Sequence, residues 1–126
     1  MRVVLATDRA DLARALSLFL SEQRVQVLDV VDDAGALRSC ASVERPDVAL
    51  VDWRLGEDVT AAMVALLSEG EDPTPVVILT PAHQRRRARA SGAAACASLG
   101  DAPETLLATL MTLRSVAGAD DRPTAG

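Results

Sequence analysis

The sequence predicts an α/β domain: a doubly wound, five-stranded parallel sheet with five helices. Three observations lead there. Five short runs of small aliphatic residues alternate with stretches whose apolar residues recur at helical spacing. The clearest of those runs are apolar throughout rather than alternating, as strands covered on both faces are. The connections are short, and 126 residues suit one domain with one core. Parallel neighbours need right-handed crossovers, which leaves few topologies; the flavodoxin-like strand order 2-1-3-4-5 best fits this length.

Taken in order, Val3-Val4-Leu5-Ala6-Thr7 is the first strand and stops at Asp8. Residues 11–22 place Leu12, Leu16, Phe19 and Leu20 on one helical face. Val25 to Val31 is the second strand, and residues 33–44 form a helix with Ala36, Leu37, Cys40 and Ala41 on its stripe. Pro46-Asp47 breaks that helix and launches the third strand, Val48 to Asp52. Val59, Met63, Leu66 and Leu67 form the next stripe, ended by Gly70, and Glu71 to Pro75 is a turn. Val76 to Thr80 is the fourth strand, Pro81 to Gly92 holds an Arg-rich helix, and Ala94 to Ala97 is a weak fifth strand. The last helix spans 102–115, with Asp101 and Glu104 in a capping arrangement and Pro103 in its first turn. The domain is expected over 1–117, with 118–126 a disordered tail.

Composition narrows the function classes. Apolar residues make up 49% but aromatics only 2%, so the core is packed from Ala, Val and Leu without aromatic anchors. No apolar run approaches the ~20 residues that span a bilayer, and the N-terminus does not read as a signal peptide, so a cytoplasmic protein is expected. Cys40 and Cys96 have no CxxC spacing and read as small buried apolar side chains. A net charge of −5 argues against nucleic-acid binding by the molecule as a whole. All 13 basic residues are Arg; the chain has no lysine.

In an open parallel sheet, functional groups gather beyond the carboxyl ends of the strands. Asp8, Asp52 and Thr80 follow or end strands one, three and four, which are neighbours in the predicted order. Two carboxylates and a hydroxyl are therefore expected to converge in one shallow pocket.

Three stretches, in this order and spacing, carry a family resemblance. Arg45-Pro46-Asp47-Val48-Ala49-Leu50-Val51-Asp52 resembles the approach to the phosphoacceptor aspartate of response-regulator receiver (CheY-like) domains. Val77-Ile78-Leu79-Thr80 resembles their fourth strand with its terminal Thr or Ser. Ser91-Gly92-Ala93-Ala94, followed by Pro103-Glu104-Thr105-Leu106, resembles their approach to strand five and the last helix. The likeness covers residues 2–115. It implies that Asp52 accepts a phosphoryl group from a histidine kinase or phosphotransfer protein and that Thr80 contacts the phosphoryl group and acts as the switch. It further implies weakly bound Mg²⁺ with Asp8, Asp52 and the backbone carbonyl of Arg54 as ligands. A downstream protein partner, and a homodimer, would use the face from helix four to helix five.

The departures from that pattern are specific. The strand-five lysine that pairs with the phosphorylated aspartate falls at Leu99. An ammonium there would contribute ~4 kcal/mol at an effective dielectric near ~20, and leucine contributes none of it. Strand one offers one acid, Asp8, beside Thr7 and Arg9, where receivers usually have two. Arg9 or Arg54 could replace some missing positive charge, although Arg54 facing solvent is the plainer reading. The switch aromatic of strand five is matched by Cys96; Gly100 stands where the family often has proline or an acid, and Gly56 where proline is common. Arg85-Arg86-Arg87-Ala88-Arg89 reads as a solvated face, and His83, without triad partners, as a loop residue.

Two signalling readings follow. One is a stand-alone, atypical response-regulator receiver in two-component phosphorelay signalling, whose chemistry is self-phosphotransfer onto Asp52 rather than enzymatic turnover. The other is a pseudo-receiver that binds a protein partner without phosphorylation. A small enzyme or nucleotide-binding domain ranks below both, because no GxGxxG, P-loop or nucleophile elbow is present. Nothing after residue 117 resembles an output domain.

Overall fold

In a computed structural model, residues 1–69, 73–98 and 102–120 are described. The elements are β1 (Arg2–Ala6), α1 (Ala10–Glu22), β2 (Gln26–Val31), α2 (Ala34–Glu44), β3 (Val48–Asp52), α3 (Glu57–Ser68), β4 (Val76–Thr80), α4 (Arg85–Arg89), β5 (Ala95–Ser98) and α5 (Pro103–Asp120). One parallel sheet joins all five strands in the order β2-β1-β3-β4-β5. This is the predicted flavodoxin-like order.

The continuous apolar strands divide their side chains between two cores. Val3, Leu5, Val48, Leu50, Val77 and Leu79 face one side, where they meet Leu20 of α1 and Leu106 and Leu110 of α5. Val4, Ala6, Ala49, Val51, Val76 and Ile78 face the other, against Leu37 of α2 and Met63, Val64 and Leu67 of α3. Period-two alternation is thus present but invisible in the sequence, since both faces are buried. β2 is the exception: it is an edge strand, largely exposed up to Val31, and a bulge interrupts its pairing with β1 at Val3/Val4.

Several elements differ from the sequence reading. On α3 the buried residues are Thr60, Met63, Val64 and Leu67, an i, i+3, i+4, i+7 stripe, while Val59 is exposed and Leu66 only partly covered. On α1, Ala13 joins the core cluster with Leu16, Phe19 and Leu20, and Leu12 does not. The Arg-rich helix expected within Pro81–Gly92 is there, and it is short. A 3-10 turn covers Ala82–Gln84, the α-helix only Arg85–Arg89, and Gly92 at φ +94° turns the chain toward β5. Ala88 is its one buried side chain, too little apolar surface to hold a longer helix on the sheet. α5 runs past Ala117 to Asp120. The expectations for Gly70 to Asp72, Leu99 to Asp101 and the tail from Asp121 lie outside the described residues.

Candidate functional site

The carboxyl edge of the sheet collects the polar residues. β1 gives way to Thr7, Asp8 and Arg9; β3 ends in Asp52; β4 ends in Thr80; β5 ends in Ser98. Ala6 lies opposite Val51 and Thr80 opposite Ser98, so Thr7 follows directly beside Asp52. Asp52 and Thr80 are fully buried, Thr7 and Ser98 nearly so.

Asp52 is the centre of a small network. Its Oδ2 accepts from the Thr7 hydroxyl at 2.7 Å and from Arg9 Nε at 3.0 Å. Its Oδ1 accepts from the backbone N–H of Arg54 at 3.0 Å, capping the 3-10 turn over Trp53–Leu55. The Arg9 backbone N–H donates to Thr7 Oγ1 at 3.1 Å, closing a ring of Thr7, Asp52 and Arg9. The ion pair joins a fully covered carboxylate to a side chain that is 27% exposed. Arg9 Nη2 is buried without a partner among the described residues.

Asp8 stands apart from this network. Its side chain is exposed and lines a shallow depression with Arg9, Val30, Val31 and Asp32, on the β2 side. Neither Asp52 nor Thr80 lines that depression. The three predicted residues therefore share one sheet edge, but the structure brings Arg9 to Asp52 in place of Asp8. The Thr80 hydroxyl donates to the Pro81 carbonyl at 3.1 Å, and the buried Ser98 hydroxyl on the next strand has no partner among the described residues. Arg54 turns its side chain outward and meets Asp52 through its N–H.

Two residues not singled out in the sequence link the loops around the site. Trp53 Nε1–H donates to Gln84 Oε1, tying the turn after β3 to the turn after β4. Trp53 is buried among the α2–α3 side of the core. Only its place directly after Asp52 could have drawn attention to it. His83 is exposed, with its ring 3.3 Å from the Gln84 amide. Arg85, Arg86, Arg87 and Arg89 are exposed, and Arg87 reaches Glu57 at 3.5 Å. Gly56, where proline was the family's usual choice, sits at φ +115°, which proline cannot adopt. Both cysteines are free and buried, and burial pushes both thiols above their ordinary pKa.

No protein-family model and no curated protein matches this chain. Solved structures do. The signal receiver domain of the response regulator NarL from Mycobacterium tuberculosis is 26% identical, over 90% of this chain and 95% of that one, at a TM-score of 0.74. This chain has the receiver fold. The signal receiver domain of a modulated diguanylate cyclase from Desulfovibrio desulfuricans is 23% identical, over 95% and 98% of the two chains, at a TM-score of 0.75. The receiver domain of the sensor histidine kinase PA1611 from Pseudomonas aeruginosa is 18% identical, over 89% and 95%, at a TM-score of 0.77; it has a magnesium ion coordinated in its active-site cleft.

The corresponding edge of this receiver fold does not fit such an ion. Magnesium demands near-octahedral oxygen ligands. Here Asp52 Oδ2 already accepts from a hydroxyl and from the Arg9 guanidinium, whose positive charge lies against the carboxylate, and Asp8 is exposed outside that network. Among the described residues no three His, Cys, Asp or Glu side chains converge on a metal position. Among them, too, no helix is long and apolar enough to cross a membrane.

Proposed function

We propose that this chain is a receiver-type module of two-component signalling, with Asp52 as its phosphoacceptor and a histidine kinase or phosphotransfer protein as its donor. The observation that carries the reading is the placement of Asp52 at the carboxyl end of the central strand β3, with Thr80 ending the neighbouring β4. Oδ2 is held by two donors and Oδ1 by one, so Oδ1 is the freer nucleophile. Oδ1 attacks phosphorus as the P–N bond of a phosphohistidine breaks, and the imidazole leaves with the electron pair and takes up a proton. Arg9 supplies counter-charge to the acyl phosphate, and Thr80 gives up the Pro81 carbonyl to donate to a phosphoryl oxygen. That exchange repositions the loop carrying Gln84, and partners read it over the face from α4 to α5. The module performs no turnover beyond this self-phosphotransfer.

Incubation with a small phosphodonor, followed by intact mass, tests the reading. One added phosphoryl group is expected on the wild type and none on Asp52→Asn. The complete burial of Asp52 under Arg9 favours a second reading, the pseudo-receiver, which binds its partner in one fixed conformation. Absence of any adduct, with Asp52→Asn unchanged in partner binding, selects it.

A further inference from the structure

We infer that Arg9 is the resident counter-cation of Asp52, standing where a divalent metal would otherwise be needed, so that the site is insensitive to Mg²⁺ as long as Arg9 is present. The inference concerns the same site as the proposed function but rests on the Asp52 network alone, not on phosphoryl transfer.

The chain has no lysine, so positive charge at the site comes from arginine or from an added ion. Among the described residues Arg9 is the cation paired with Asp52, its Nε 3.0 Å from Oδ2. Its placement is built rather than incidental. Arg9 is the residue directly before α1, and its N–H is held by the Thr7 hydroxyl, which itself donates to the same Asp52 oxygen. Main chain and side chain of Arg9 are therefore fixed by one ring of bonds. The guanidinium is partly shielded from water, where a charge pair is stronger than at the surface. A metal ion at Asp52 Oδ2 would have to displace the guanidinium or lie against its positive charge. Asp8, the other potential ligand, is exposed and outside the network. Nη2 is covered and has no hydrogen-bond partner among the described residues.

The chain's single tryptophan, Trp53, adjoins Asp52 and reports on the site directly. Trp53 fluorescence and thermal melting are followed as Mg²⁺ is raised to ~10 mM, for the wild type, Arg9→Ala and Arg9→Gln. The wild type is expected to show no response. Arg9→Ala should gain a saturable fluorescence change and a rise in Tm of about 5 °C, both lost again in Arg9→Ala/Asp8→Asn. Arg9→Gln, which retains a hydrogen-bonding side chain, serves the same purpose should the alanine variant fail to fold. A wild type that responds to Mg²⁺ like the Arg9 variants overturns the inference, as do two folded Arg9 variants that both stay flat. Failure to form a phosphoryl adduct would instead sink the proposed function and leave this result untouched.

Discussion

A carboxylate taken fully out of water costs several kcal/mol unless its charge and lone pairs are met, and Asp52 is met by Thr7, Arg9 and the Arg54 N–H. Removing Arg9 leaves that carboxylate buried without its cation. Arg9→Met should therefore lower stability by about 2 kcal/mol, below the full penalty for a buried pair because Arg9 is itself partly exposed. Combining it with Asp52→Asn should cost less than the sum of the single changes, a coupling that urea unfolding of the four proteins measures. The cysteines make a second residue-scale case. Burial raises Cys40, with Asp29 and Glu44 adding to it and Arg2 opposing; burial raises Cys96, with Arg85 and Arg89 opposing. The folded state thus keeps its thiol protons to higher pH than the unfolded chain. That contribution is complete below the unfolded value of about 8.5 and is lost as pH climbs through the folded values. Stability should fall above about pH 8.5, and less steeply in Cys40→Ala/Cys96→Ala, as denaturant midpoints across pH would show.

At the scale of elements, α3 shows how packing selects among apolar residues that periodicity leaves equivalent. The helix could bury Val59 and Leu66 or Thr60 and Val64; the fold takes the second pair and carries into the core a threonine hydroxyl that has no partner among the described residues. Thr60→Val keeps the shape and removes the unsatisfied group, so it should raise stability by about 1 kcal/mol in urea unfolding. α4 shows the converse. Arginine is a good helix former, yet Arg85–Arg89 is all that persists, because local propensity without an apolar face does not anchor a helix. The strands were legible nearly to the residue, since uninterrupted runs such as Val48–Asp52 and Val76–Thr80 admit little else. Helix limits and faces were not, because they depend on what lies across the contact.

For the whole molecule, the sheet is the shared wall of two small, largely aliphatic cores, with α1 and α5 on one side and α2, α3 and α4 on the other; Trp53 and Phe19 are the aromatic side chains in them. Each strand contributes to both, so neither core can be lost alone. Leu110 of α5, fully buried, should cost about 3 kcal/mol when changed to Ala. Because Trp53 lies in the opposite core, its fluorescence should report that loss at the same denaturant midpoint as far-UV circular dichroism. Separate midpoints would mean that the two sides unfold independently.

The sequence by itself determined the strand order and the sheet edge at which chemistry collects, because continuous apolar runs, short crossovers and polar residues at strand ends leave few arrangements. It also showed that no lysine could serve that edge. Which polar groups meet there was decided only by the tertiary structure. Beyond the end of β1 the chain leaves the sheet's register, and successive side chains point along different directions: Thr7 and Arg9 turn to Asp52, while Asp8 between them turns to solvent near β2. Sequence adjacency cannot distinguish those directions; the close approach of β3, with a buried charge to be neutralised, does.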